Sequence, residues 1–307
     1  MRTKKLAMLI VIVLSLATLS FIIYEVRDGL GFIDVKAAGS GTTLYVGGFG
    51  SGNYSSIQAA IDAANNGDTV FVYSGIYNEN VVVSTSITLM GQDRNTTIID
   101  VKGYHKVVDV TADYVTFTGF TVKNSGNAGI TPNGVQHCRI ENTIVSNCYQ
   151  GISLYSSSYC TIINTTISNN KLYGIELFYS SNCTITYTTI YNDRFGIRLE
   201  SYSNCTIHYN NIYGNAVYGV YNAKSAPKYL ADASYNWWGS SDGPGGVGPG
   251  SGDNVSSNVI YSSWLTGPVS KVNNDKEDDD GTPGFEFTLF IATAGIALLM
   301  FRRKQRC

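Results

Sequence analysis

An internal repeat between residues 115 and 220 constrains the fold of this 307-residue chain more than any other feature. Glycine followed by Ile or Val recurs in steps of 22 or 23 residues, at Gly129, Gly151, Gly174, Gly196 and Gly219. A second column keeps the same step as Val115, Cys138, Cys160, Cys183 and Cys205, and a column of asparagines runs from Asn124 to Asn215. A repeat of this period predicts a solenoid in which each unit packs on its neighbours.

The sequence within one repeat predicts short β-strands joined by tight turns. The unit is too short for two helices, and its pattern C-T-I-x-x-x-x-I is rich in β-branched residues that alternate. Asn and Gly recur where turns need left-handed backbone. Parallel pairing would stack successive coils about 4.8 Å apart, so equivalent residues lie above one another. We predict an all-β fold, a right-handed single-stranded parallel β-helix, with residues 69–235 as its coils.

Residues 39–68 are predicted to cover the first coil. Ile57, Ala60, Ile61 and Ala64 line one face of a helix, and Gly67 ends that helix before a strand begins. The first coil of a solenoid has unpaired edges and an exposed core. An amphipathic helix across the open end would bury both.

Three parts of the chain resemble known β-helix proteins. The segment from Ile57 to Val83, I-Q-A-A-I-D-A-A-N-N-G-D-T-V-F-V-Y-S-G-I-Y-N-E-N-V-V-V, is similar to the opening of pectin-lyase-fold proteins. The later repeats resemble those of archaeal surface proteins and of the NosD group, and N-W-W-G-S-S-D-G-P, from Asn236 to Pro244, resembles the closing segment of that group. The resemblance implies the pectin-lyase-like fold, closed by residues 236–270. It implies no single activity, because this fold hosts lyases, hydrolases, esterases, epimerases and non-enzymes.

Both ends of the chain predict export and anchoring. Basic residues precede an apolar run from Leu6 to Ile23, so residues 1–38 are predicted to be a signal peptide or an uncleaved signal anchor. At the other end, residues 271–284 form an acidic linker, residues 285–301 are mostly apolar, and residues 302–307 are basic. An apolar span followed by basic residues predicts a membrane segment with a cytoplasmic tail.

The C-terminal pattern contains the motif Pro283, Gly284 and Phe285. Motif, span and basic end together resemble the PGF-CTERM sorting signal of archaeal surface proteins. That resemblance implies cleavage by an archaeosortase-type sorting peptidase and attachment to lipid; the alternative is an ordinary tail anchor. Both alternatives place the middle of the chain on the extracellular face of the cell membrane.

Charge and sequons agree with a surface location. Residues 39–283 contain 12 Lys and Arg against 19 Asp and Glu, so a nucleic-acid partner is not expected. Six N-x-S/T sequons are glycosylation candidates in an exported chain. They start at Asn53, Asn95, Asn164, Asn182, Asn204 and Asn254.

Catalytic groups are sparse within the repeat. Polysaccharide hydrolases need grouped carboxylates, and lyases need a Ca²⁺ site with an Arg or Lys base. The strongest polar cluster contains Glu176, Asp193 and Arg198. Glu176 and Arg198 each lie two residues after a repeat glycine, so we expect them to stack on adjacent coils as an outward ion pair. The alternative is a catalytic Arg198 with a carboxylate partner.

The aromatic residues suggest a binding surface. Tyr173, Phe195 and Tyr218 each precede a repeat glycine and should form an outward column, and Tyr187 and Tyr209 should form a second pair. Exposed aromatic rows can lie against the apolar faces of sugar rings. The alternative is cross-strand stacking that stiffens the sheet.

No metal site or cofactor is predicted. His105, His137 and His208 are scattered, and Met90 is the one methionine of the exported part, although the NosD resemblance suggests copper handling. The cysteine column is predicted to be a buried set of free thiols. Disulfides such as Cys138 to Cys160, or thiolate metal binding, remain alternatives.

Three functional hypotheses follow. The first is a non-enzymatic, membrane- or lipid-anchored surface protein with a structural, adhesive or glycan-binding role. The second is a surface polysaccharide lyase or hydrolase centred on Arg198. The third is a NosD-like accessory protein in the maturation of a metal enzyme.

Overall fold

The computed structural model describes residues 9–15, 18–24, 41–200, 203–223 and 230–270. Strands β1 (Leu9–Ser15) and β2 (Thr18–Tyr24) pair antiparallel within the predicted signal segment. The acidic linker, the motif Pro283, Gly284 and Phe285, the apolar span and the basic tail lie outside the described residues. In the described ranges, no helix has both the length and the apolar character that a membrane crossing requires.

Residues 41–270 form a parallel β-solenoid with three sheets, which confirms the predicted fold class. Sheet 1 contains β3 (Thr43–Val46), β4 (Thr69–Val72), β7 (Thr88–Gly91), β10 (Thr116–Thr118), β13 (Arg139–Glu141), β16 (Thr161–Ile163), β19 (Ser181–Thr186), β22 (Asn204–His208), β25 (Ala231–Asp232) and β28 (Val259–Ile260). Sheet 2 contains β5 (Gly75–Tyr77), β8 (Thr97–Gly103), β11 (Thr121–Ser125), β14 (Ile144–Ser146), β17 (Thr166–Ser168), β20 (Thr189–Tyr191) and β23 (Asn211–Tyr213). Sheet 3 contains β6 (Val81–Val83), β9 (Val108–Val110), β12 (Ala128–Pro132), β15 (Gln150–Tyr155), β18 (Tyr173–Phe178), β21 (Phe195–Glu200), β24 (Tyr218–Asn222), β26 (Pro244–Gly246) and β27 (Gly252–Val255).

The core consists of columns of equivalent residues from successive coils. In sheet 3, Ile152, Ile175, Ile197 and Val220 are register partners and are fully buried. The cysteine column is also inward, as predicted: Cys138, Cys160, Cys183 and Cys205 are buried, and the structure holds them as free thiols. Burial, with the neighbouring thiols of Cys160 and Cys183, raises the pKa of Cys138 well above its ordinary value. These thiols therefore contribute apolar packing.

Left-handed backbone turns connect sheet 2 to sheet 3. The turn column contains Asn124, Asn147, Asn169 and Asn192, each with φ between 56° and 66°. The sequence repeat suggested Asn215 as the next member, but Gly214 (φ 69°) occupies that position. Asn215 instead belongs to the adjacent buried column, one residue further along.

Helix α1 (Ile57–Ala63) covers the first coil, as predicted. Ser56 caps it by accepting a hydrogen bond from the Ala59 amide at 3.2 Å. The carboxylate of Glu79 accepts from the Ile57 and Gln58 amides at 2.8 and 3.0 Å. Ile57, Ala60 and Ile61 are fully buried against the coils, so the helix shields the apolar core of the first coil from solvent.

The buried thiols generate a testable prediction. The chain has six cysteines, of which Cys138, Cys148, Cys160, Cys183 and Cys205 are buried and free. A thiol reagent should modify these five in the native protein far more slowly than after denaturation, because all five side chains are buried away from the reagent. Peptide mapping by mass spectrometry after timed labelling measures this difference. Any of the five that stays unmodified in denatured, unreduced protein would indicate a disulfide and contradict the free ladder.

Candidate functional site on the outer face of sheet 3

Strands β15, β18, β21 and β24 place two columns of polar and aromatic side chains on the outer face of sheet 3. The residues before the repeat glycines are register partners, and so are the residues two positions after them. The first column is Gln150, Tyr173, Phe195 and Tyr218, and the second is Ser153, Glu176, Arg198 and Tyr221. We refer to these eight residues as the sheet 3 site.

The repeat glycine between the columns is required by close backbone approach. A Cβ atom at Gly174 would lie 2.6 Å from the carbonyl oxygen of Gly196 and 2.4 Å from a carboxylate oxygen of Asp193. No real Cβ contact is that short, so glycine alone fits. This explains the Gly-Ile repeat that the sequence displays.

Arg198 is held by its own strand and by the preceding coil. Its guanidinium forms an ion pair with Glu200, two residues along β21, and lies 4.7 Å from the ring centroid of Tyr173. Burial lowers the pKa of Arg198. The predicted stacking of Glu176 with Arg198 is confirmed by their register, but the predicted ion pair between them is wrong because Glu200 is the partner.

Glu176 is instead bound by uncharged donors from the preceding coil. Gln150 Nε2 donates to its carboxylate at 2.7 Å, and Ser153 Oγ donates at 3.3 Å. Burial raises the pKa of Glu176, the nearby charge of Glu200 adds to the increase, and the two hydrogen bonds oppose it. Glu176 is thus a carboxyl group whose protonated form is favoured relative to an ordinary glutamate.

The aromatic column is outward, as predicted, but its rings differ in accessibility. Tyr173 is only 6% exposed, beneath the guanidinium of Arg198. Phe195, Tyr218 and Tyr221 are partly exposed. The Phe195 and Tyr221 ring centroids lie 5.7 Å apart at 57°, and those of Tyr218 and Tyr221 lie 5.0 Å apart at 39°. Phe195 and Tyr218 stack on each other at 6.1 Å and 17°, so Tyr221 is the ring that is inclined to both of them.

Other aromatic columns cover their own ring faces. Tyr187, Tyr209 and Tyr235 stack with centroids 5.7 and 5.6 Å apart and planes within 16°. His137 lies between Tyr114 and Tyr159 in the same manner, at 4.8 and 5.2 Å. Parallel stacking presents ring edges, so these columns stiffen the turns.

Asp193 lies apart from Arg198, in a buried ladder that sequence reasoning missed. We call this the amide ladder; it contains Cys148, Asn170, Asp193, Asn215 and Asp253, and each backbone amide donates to the next side chain. The Asp193 carboxylate accepts from the Asn170 amide at 2.7 Å and from its Nδ2 at 3.0 Å. Its other oxygen, Oδ2, is buried with no hydrogen-bond partner among the described residues. Burial raises the pKa of Asp193 to about 7, although the Asn170 bonds oppose this.

The histidines do not converge. His208 Nε2 lies 3.0 Å from Asp232 Oδ1 on the outer face of sheet 1, whereas His105 and His137 are exposed elsewhere. Within the described ranges, no group of three or more His, Cys, Asp or Glu is arranged to hold a metal ion.

The sequons differ in geometry, and glycosylation remains a prediction. Asn95 and Asn182 are exposed, and Asn164 is half-buried. The side-chain amides of Asn53 and Asn254 are engaged, since they donate to Gly47 O at 2.5 Å and Val217 O at 3.1 Å. The side chain of Asn204 lies outside the described part.

Comparison with known proteins defines the handedness of the solenoid. Residues 107–232 match the family model for a right handed beta helix region. These coils are those of a right-handed parallel β-helix. The match covers the repeat on which the sheet 3 site is built.

Known relatives share the fold. The crystal structure of the pectate lyase Pel9A superposes with a TM-score of 0.52 at 16% identity, over 76% of this chain and 83% of that one. The Agl-KA catalytic domain gives a TM-score of 0.50 at 17% identity, over 68% and 44%. A probable pectinesterase/pectinesterase inhibitor 6 of Arabidopsis thaliana is 36% identical over 124 residues, which is 38% of this chain. The match spans about a fifth of the length of that relative, 21%.

The buried carboxyl group predicts a pH dependence of stability. The folded pKa of Asp193 is about 7 against an ordinary 3.8, so the folded state binds more protons between these values. The free energy of unfolding should therefore fall as pH rises from 4 to 7, by up to roughly 4 kcal/mol at about 1.4 kcal/mol per pKa unit. Asp193→Asn should remove this dependence. It should also raise the urea midpoint measured at pH values above 7, because a neutral amide replaces a carboxylate that would be charged and buried there.

Asp232→Asn is the matched control. Burial alone would raise the pKa of Asp232, but the neighbouring His208 imidazole and the hydrogen bonds from Ser234 lower it overall. Its charge contributes stability above the ordinary pKa, so the variant should lower the neutral-pH midpoint. An Asp193→Asn protein that is less stable than wild type at pH 8 would refute the ladder assignment.

Proposed function

We propose that this chain is an exported, surface-anchored β-helix protein that binds carbohydrate through the sheet 3 site without cleaving it. One observation carries the proposal. Arg198 is paired with Glu200 and covers Tyr173, whereas the side chains of Phe195, Tyr218 and Tyr221 are partly exposed. The site therefore offers ring faces and hydrogen-bonding groups rather than a free catalytic base.

A carbohydrate ligand fits the chemistry of these groups. Partly exposed aromatic rings pack on the C–H faces of sugars, and the Tyr218 and Tyr221 hydroxyls and the Glu176 carboxyl group can exchange hydrogen bonds with sugar hydroxyls. The names of the fold relatives, which include a pectate lyase and a probable pectinesterase, support the same ligand class. Surface anchoring rests on the basic and apolar N-terminus and on the motif at Pro283, with the membrane and a sorting peptidase as partners.

A carbohydrate-active enzyme is the second candidate, and Glu176 is the observation that favours it. Burial raises the pKa of this carboxyl group, which is the property of a general acid in glycoside cleavage. Its hydrogen bonds to Gln150 and Ser153 hold it within the face rather than toward a ligand. The third hypothesis, a NosD-like accessory role, rests on the sequence resemblance alone.

The proposal is tested by a glycan array and a polysaccharide-cleavage screen on the purified protein. Wild type should bind at least one glycan and release neither reducing nor unsaturated ends. Phe195→Ala should weaken binding about tenfold, which corresponds to about 1.4 kcal/mol of lost ring contact. Tyr209→Ala is the matched control, because Tyr209 is exposed in a self-stacked column. Glycan cleavage that disappears in Arg198→Ala or Glu176→Gln would establish the enzyme instead.

A further inference from the structure

The segment that closes the solenoid forms a cleft of about 320 Å³ beside the last complete coil. Ten residues line it: Tyr213, Gly214, Asn215, Trp237, Trp238, Gly239, Ser251, Gly252, Asp253 and Asn254. We propose that this cleft binds one ring of a neutral sugar, stacked on Trp237. The inference extends the proposed carbohydrate function by naming a second subsite and its ligand class.

The closing motif N-W-W-G contains one residue that capping of the core does not explain. Asn236 is buried and structural, because it accepts from the Asn210 amide at 2.8 Å and its Nδ2 donates to the Ala233 carbonyl at 2.8 Å. Trp238 is fully buried in the core. Trp237, between them, is turned outward and half-buried at the cleft.

Trp237 ends a row of aromatic side chains. Tyr191 and Tyr213 stack at 5.2 Å with planes 4° apart, and the Trp237 ring lies 5.3 Å from Tyr213 at 54°. Among the described residues, the ring–ring contact of Trp237 is with Tyr213. The inclined terminal ring has a face toward which a sugar can pack, whereas the stacked Tyr191 and Tyr213 cover each other.

The opposite wall supplies hydrogen-bonding groups. Asn254 donates its Nδ2 to Val217 O at 3.1 Å, which fixes the side-chain amide at the edge of the cleft. Asp253 Oδ2 accepts from Asn215 N at 3.1 Å and from Asn215 Nδ2 at 2.7 Å. Its Oδ1 accepts the longer contact from Asn215 N, at 3.3 Å, and keeps further acceptor capacity. An aromatic wall facing fixed polar groups is the arrangement expected for a sugar.

Charge selects a neutral ligand. Asp253 is the one Asp, Glu, Lys, Arg or His among the ten lining residues, so a sugar acid would meet a carboxylate and no cation. Burial raises the pKa of Asp253, and its bonds to Asn215 oppose the increase. The volume lies at the lower end of the range for ligand sites, about 300–1,000 Å³, which suits a single ring.

The test compares neutral and acidic sugars on the full protein. Binding of cellohexaose, mannohexaose, chitohexaose and maltohexaose, and of glucose, mannose and N-acetylglucosamine, is measured by calorimetry beside hexagalacturonate. At least one neutral sugar should bind, and hexagalacturonate should bind at least tenfold more weakly. Trp237→Ala should weaken the neutral sugar about tenfold, and Trp237→Tyr should keep most of the affinity. Tyr235→Ala is the control, since Tyr235 is an exposed aromatic of the same segment outside the cleft.

A second measurement uses the wild-type protein alone, so it does not depend on whether a variant folds. The bound sugar should protect Trp237 from oxidative labelling, measured by peptide mass spectrometry. Neutral sugars that bind without protecting Trp237, or that bind Trp237→Ala as tightly as wild type, would overturn the cleft. If binding is lost in Phe195→Ala but not in Trp237→Ala, the cleft is wrong and the sheet 3 proposal stands. If binding depends on Trp237 alone, the cleft stands and the sheet 3 proposal is wrong.

Discussion

Parallel pairing of successive coils in register is the interaction on which the rest of the structure depends. It places each side chain about 4.8 Å from the equivalent side chains of the adjacent coils. A residue type that recurs in a column must therefore pack favourably against further residues of the same type. Ile, Val and Cys satisfy this inside, and Thr, Ser, Asn and Tyr satisfy it outside and at the turns. Repeated charge does not, which is consistent with a content of charged residues of only 14%. Stacking thereby produces a surface rich in rings and neutral polar groups, which suits contact with neutral glycans.

The positions that break a column carry the most chemical information. Asp193 interrupts a buried ladder of amides and introduces a proton that the fold must hold near neutral pH. Arg198 interrupts an outward column and is neutralised by Glu200 on its own strand. Trp237 leaves the parallel stack of Tyr191 and Tyr213 and inclines over a cleft. At each of these positions a contact with a different residue type replaces stacking on the same type. Two of them, Arg198 and Trp237, lie where we propose ligand contact.

The repeat predicted the coils, the inward cysteines and the stacking of Glu176 on Arg198, because register follows directly from spacing. The capping helix followed instead from the apolar face that Ile57, Ala60 and Ile61 form. The spacing could not predict which neighbouring residue an outward side chain contacts. Arg198 has Glu176 beside it and Glu200 two residues away, and rotamers decide between them. Spacing alone also assigns Asn215 to the turn column, where the structure has Gly214, and this hides the buried ladder to which Asp193 and Asn215 belong. The repeat step of 22 or 23 residues does relate Cys148, Asn170, Asp193 and Asn215, so the sequence does contain the pattern of the buried ladder. The cleft depends on how the irregular closing segment folds back, for which no period exists.

Stacking in register is tested most directly by placing glutamates in one outward column of sheet 1. Thr184 and Thr206 are register partners on adjacent coils, and Thr161 lies one coil further along the same column. Two double-mutant cycles are measured from the free energy of urea unfolding. One combines Thr184→Glu with Thr206→Glu, the adjacent pair, and the other combines Thr161→Glu with Thr206→Glu, the separated pair. We expect an unfavourable coupling of about 0.2–1 kcal/mol for the adjacent pair. The separated pair should show a smaller coupling, because its charges lie roughly a Debye length apart at 0.1 M salt. Equal couplings, or a larger one for the separated pair, would contradict stacking in register.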